Sequence, residues 1–123
     1  MQYITDRKRA EGLGSAKTGT EHYWRQQVSG VALLILVPLF LFCVAGVVGE
    51  TYEAVLATFA RPFPAIITAL TLVVSLNHFR HGAQVAIEDY AHGTTRKLLI
   101  IAVICVSYGA IAVGLFALAR LAL

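Results

Sequence analysis

The chemistry-bearing residues of this chain crowd into one short stretch. Asn77, His78, Arg80, His81, Gln84, Glu88, Asp89 and Tyr90 follow a run that is almost wholly apolar. At about 100° per residue, Thr71, His78, Gly82, Val85 and Asp89 fall along one stripe of a helix, with His81 about 60° to the side. An imidazole can give a nitrogen lone pair to haem iron, and a glycine one turn later lets a flat macrocycle approach the backbone. His78 and His81 both qualify, and either can instead hydrogen-bond a neighbouring helix. Asp89 lies about 16 Å along the axis from His78. The Tyr90 phenol, with Asp89 orienting a basic partner, can hold the carbonyl of a lipid-soluble quinone, or the pair can be an ordinary interfacial helix end. His22, helped by Arg25, can meet a cofactor propionate, or it can be an exposed interfacial histidine. Arg80 and Glu88 are expected to pair with other subunits or to snorkel.

These residues need an element to hold them, and composition says in which solvent. Of the 123 residues, 58% are hydrophobic and 14% charged, against about 45–50% and about 25% in soluble domains. Lipid is the expected solvent, and the size allows one domain over residues 1–123. Three crossings are expected, at about 28–48, 65–87 and 98–118. Each is long enough for a hydrocarbon core about 30 Å thick at about 1.5 Å per residue. The predicted fold class is all-α. The first apolar run is too long for a signal-peptide core, so the N-terminal stretch reads as mature protein.

The flanks divide the chain further. Residues 1–20 are polar and are expected to be extended or loosely ordered. Pro38 predicts a bend in the first span. Tyr52–Phe59 suggests a short amphipathic turn, stopped at Arg61-Pro62-Phe63-Pro64, with Pro64 placed to open the second span. Gly93 is a predicted helix stop. The second span holds Arg80, and a central arginine facing lipid costs about 2.5–3.5 kcal/mol on insertion scales. Partners or a cofactor must therefore cover that half. Cys43 and Cys105 lie inside apolar runs and lack metal-site spacing.

Arg7, Lys8, Arg9, Lys17 and Arg25 precede the first span, and Arg96 and Lys97 precede the third. Beside a membrane span, this charge is a topology signal rather than a nucleic-acid arm. It predicts that segment 1–27 and the second connector are cytoplasmic, or on the organellar equivalent, with the C-terminus on the other side; the expected location is a bacterial inner membrane, the C-terminus periplasmic.

The run from His78-Phe79-Arg80-His81-Gly82 to Glu88-Asp89-Tyr90 resembles the second-helix motif of the smaller hydrophobic anchor subunit of succinate dehydrogenase, respiratory complex II. That pattern has a haem-ligand histidine, a glycine four residues later and an Asp-Tyr pair eleven and twelve later, all matched here. The layout of three spans and the Gly19-Thr20-Glu21-His22-Tyr23-Trp24 stretch are similar too. The resemblance implies that His78 is an axial ligand of haem b, with Gly82 packed against the haem and a partner cytochrome b anchor subunit supplying the second ligand. It implies a haem-binding helical bundle shared with that partner. Tyr90 then binds ubiquinone and Asp89 supports the pocket. Flavoprotein and iron–sulfur subunits would sit on the cytoplasmic face and pass electrons from succinate, a tricarboxylic acid cycle intermediate, into electron transport. The chain alone would not be catalytic. One departure is Gln26-Gln27, where the family usually carries an arginine; the nearest here is Arg25.

Two other readings compete. A fumarate reductase anchor would run the same chemistry backwards. A small homo-oligomeric transporter or channel would instead line its pore with the polar second span.

Overall fold

A helix in lipid has no water to satisfy its backbone, so each crossing must close its own hydrogen bonds. The computed structural model, which describes residues 4–12 and 19–122, is built from helices alone across those residues. They are α1 (Asp6–Glu11), α2 (Gly19–Ala45), α3 (Tyr52–Phe59), α4 (Pro62–Tyr90) and α5 (Gly93–Ala122). Three of these, α2, α4 and α5, are long and apolar enough to cross a membrane. At 27, 29 and 30 residues they run about 40–45 Å, so their ends project beyond the hydrocarbon.

Several boundaries differ from expectation for local reasons. Residues 6–11 are helical rather than extended, because Thr5 caps the Lys8 amide and Arg7 pairs with Glu11 one turn on. Residues 1–3 and 13–18 of the same expected segment lie outside those described. Helix α2 starts well before Val28 and continues through Pro38. Pro62, the first of the two prolines, opens α4, since the missing N–H costs nothing in the first turn. The Tyr52–Phe59 turn forms as expected, capped by Thr51. Gly93 takes φ +62° at the junction of α4 and α5, a backbone conformation that a Cβ disfavours. Only Ala91 and His92 separate the two helices.

Helix α4 is the middle of the bundle in space as well as in sequence. Both α2 and α5 pack along it, and among the described residues they do not pack on each other. Helix α3 folds against α4 and α5. Little is buried, and three of the five buried residues among those described are small or polar, the others being Ile67 and Leu118, while most large apolar side chains face outward. Ser107, Thr71 and Cys43 are buried; Leu34, Phe42, Val113 and Phe116 are exposed. Lipid is as apolar as leucine, so burial there yields little, and close backbone approach over small residues holds such helices together. Gly114 is one such point. A Cβ there would overlap the Leu72 side chain of α4.

Arg80 forms the second tie between α4 and α5. Its guanidinium donates to the Tyr108 hydroxyl at 2.8 Å and lies 5.1 Å from the centre of the Tyr108 ring. Within this chain, the arginine that looked destined for another subunit thus finds a phenol on the next helix.

Gly114→Val is expected to destabilise the α4–α5 contact by about 1–3 kcal/mol through overpacking, measured by unfolding in mixed micelles. Tyr108→Phe should lose the hydroxyl contact at about 1 kcal/mol, and Tyr108→Leu should lose more because the ring's cation–π attraction goes too. A double-mutant cycle with Arg80→Leu checks the pair.

Candidate functional site

Extending α2 back to Gly19 places His22, Gln26 and Ser29 on one face, at helical spacings of four and three. That face meets the end of α4 that carries the histidines. The helices run antiparallel: His22 lies against His81, Gln26 and Ser29 against His78, and Phe40 near Thr68.

His78 is half-buried between the two helices. Its Nδ1 is 2.9 Å from the Ser29 hydroxyl, and its Nε2 is 3.3 Å from the Gln26 side-chain nitrogen. The same Gln26 nitrogen faces Gly82, where an added Cβ would stand 3.5 Å from it. The end of the Gln26 amide therefore fills the slot between the His78 ring and the glycine one turn on. It is loosely held. Its contact to His78 is long, and its Oε1 is buried without a partner. A neutral hydrogen bond returns about 0.5–1.5 kcal/mol, and an orphaned buried acceptor costs about 1–3 kcal/mol, so little opposes swinging the amide out. Imidazole–metal bonds are about 2 Å long, so a metal on Nε2 and the Gln26 contact exclude each other. The residues present fit a haem ligand: one imidazole nitrogen, a displaceable amide and a glycine floor.

His81 is differently engaged. Its Nδ1 donates to the Asn77 carbonyl at 2.7 Å, and its Nε2 lies 3.3 Å from Arg80, whose guanidinium donates to it. A cation at that lone pair opposes metal ligation. His22 is partly buried rather than exposed; its ring lies 5.2 Å from His81, edge to face, and its Nε2 is buried without a partner. Arg25 is turned away, in an exposed ion pair with Glu21. It lines a groove of about 360 Å³ between α2 and α4 with Trp24, Val28, Ser29, Val73 and Asn77. The structure thus joins His22, His78, His81 and Gly82, while the Arg25 guanidinium is held by Glu21.

Asp89 and Tyr90 end α4 in the open. Tyr90 is 88% exposed, and Asp89 is exposed too. Glu88 is tied within the chain, accepting from Gln84 at 2.9 Å and standing 3.6 Å from Arg96 across the α4–α5 turn.

Sequence reasoning missed Gln26, Ser29 and Tyr108. Gln26 and Ser29 share a face with His22, a signal hidden by starting the first helix at Val28. Tyr108 carried no signal, because its partner lies 28 residues away on another helix.

Comparison with known proteins follows the same line. Residues 1–114 match the family of succinate dehydrogenase/fumarate reductase transmembrane subunits. The chain is 50% identical over 123 residues to the succinate dehydrogenase hydrophobic membrane anchor subunit of Paracoccus denitrificans, covering 100% of this chain and 95% of that one. It is 35% identical over 97 residues to the subunit of the same name from Rickettsia conorii, 77% of each chain. It is 30% identical over 88 residues to the succinate dehydrogenase membrane anchor subunit of Reclinomonas americana, 69% of this chain and 73% of that one. No solved structure gives a significant match. With its three membrane-crossing helices and a likeness that runs the length of the chain, the protein belongs to the succinate dehydrogenase/fumarate reductase transmembrane subunits, as a hydrophobic membrane anchor of succinate dehydrogenase.

Proposed function

We propose that the chain holds haem b through His78 and forms part of a ubiquinone-reduction site at Asp89 and Tyr90, while anchoring the flavoprotein and iron–sulfur subunits to a bacterial inner membrane. The observation that carries this reading is the His78 slot. An imidazole nitrogen faces the floor at Gly82, and only the poorly satisfied amide of Gln26 stands between them. A second anchor subunit supplies the other axial histidine. Haem b, when bound, supplies reversible one-electron chemistry. His22, beside His81 with an unpartnered nitrogen, is the nearer candidate for the propionate region; Arg25 reaches it only by leaving Glu21.

The quinone end works differently. Tyr90 lies about 18 Å along α4 from His78 and presents its hydroxyl outward. It donates a hydrogen bond to a quinone carbonyl, favouring the charge that builds there as electrons arrive. Asp89 orients a cationic side chain of a partner subunit beside it. Because Tyr90 is exposed in the single chain, the pocket is completed by other subunits, which deliver the electrons taken from succinate. The basic residues ahead of the first and third apolar runs, with Arg25 in α2 and Arg96 and Lys97 in the first turns of α5, support a cytoplasmic position for the N-terminus, the Asp89–Tyr90 end and the soluble subunits. The relatives named above are anchor subunits of succinate dehydrogenase, which supports reading the reaction as reduction of quinone. His78 and Arg80 have partners on α2 and α5, and Asn77, His81 and Gln84 have partners within α4, so nothing requires them to line a channel.

His78→Ala is expected to remove most of the b-type absorbance from the purified complex, while His81→Ala keeps it; the reverse pattern in visible spectra would sink the ligand assignment. Tyr90→Phe should lower quinone reduction by about 10-fold or more, the order of one lost transition-state hydrogen bond. Succinate oxidation with a soluble artificial acceptor should persist, and the two assays run on one preparation separate the effects.

A further inference from the structure

Ser29 lies 2.9 Å from two groups at once, the Gln26 backbone carbonyl and the Nδ1 of His78. A hydroxyl has one proton to give. The Gln26 carbonyl can only accept, and in one arrangement the Ser29 proton goes to it. What Ser29 then offers to His78 is a lone pair, and the ring proton must sit on Nδ1. The other ring nitrogen is left unprotonated, which agrees with its neighbour, since the Gln26 side-chain nitrogen is a donor. The competing arrangement is also on hand. Rotating the Gln26 amide by half a turn would bring its orphaned Oε1 to Nε2 and favour a proton there, on the atom a metal needs bare.

We infer that Ser29 is a positioning residue, which fixes the tautomer and plane of the His78 ring so that Nε2 presents its lone pair to haem iron. This rests on the proposal that His78 is the axial ligand. Partners behind a metal-binding histidine orient the ring and raise its basicity, and losing one costs about 10- to 100-fold in affinity. Here the partner is a serine on α2, two turns into the helix from His22, and it borrows its orientation from the helix backbone beneath it. The lock therefore depends on α2 and α4 staying in register.

The test has two readouts. In the full chain in phospholipid nanodiscs without haem, the ¹⁵N spectrum of labelled histidines identifies the His78 tautomer, assigned by its loss in His78→Ala. In the purified complex, haem content and the haem midpoint potential are measured. Expected is a wild-type His78 protonated on Nδ1, a shift toward Nε2 protonation in Ser29→Ala, haem retention weakened about 10-fold or more with a changed potential, and recovery of both in Ser29→Thr. If Ser29→Ala leaves tautomer, retention and potential unchanged while His78→Ala loses haem, the role of Ser29 is overturned and the ligand assignment stands. If Ser29→Ala moves the tautomer but haem persists in His78→Ala, the assignment of iron to His78 fails, and Ser29 as a haem-positioning residue fails with it.

Discussion

Everything in this structure depends on keeping the polar half of α4 away from lipid. That helix carries Asn77, His78, Arg80, His81 and Gln84, and in hydrocarbon each must find a partner inside protein. Packing α2 on one side and α5 on the other divides the work. The α2 side answers His78 with Gln26 and Ser29, and the α5 side answers Arg80 with Tyr108. His81 bridges the two, taking a hydrogen bond from Arg80 while its ring meets His22.

The two sides are not equally satisfied. Arg80 has a hydroxyl, a ring nitrogen and an aromatic face, and it is a settled structural tie. The α2 side keeps unpartnered atoms in Gln26 and His22. In a bundle where buried polar groups are normally paired, such orphans mark the place where another group belongs. Two of the four found among the described residues, in Gln26 and His22, lie beside His78 and His81; the other two are the Thr68 and Ser107 hydroxyls. A site held slightly short of satisfaction is easier to fill, because the incoming ligand displaces only a weak contact.

The same logic explains the exposed end of α4. Tyr90 and Asp89 are exposed within this chain, open to the partner subunits of the proposed quinone site. The lipid-facing surfaces of α2 and α5 carry the large apolar residues, so α4 is left to present chemistry while its neighbours solvate it.

The sequence by itself determined the number of crossings, their order and the stretch that carries chemistry. Hydrophobic runs of sufficient length have only the helix open to them in lipid, and charge along the second run singled it out. The spacing of His78, Gly82, Asp89 and Tyr90 was legible because one helix fixes it. The choice between His78 and His81 was not legible from periodicity, since both lie near one face. The family resemblance pointed to His78, and the packed helices set Ser29 and Gln26 against that ring and Arg80 against the other. The partners of Arg80 and His22 were hidden for the same reason. Sequence spacing sets neighbours along a helix, but contacts between helices follow from the register in which α2 and α5 lie against α4, and only the packed bundle decides that.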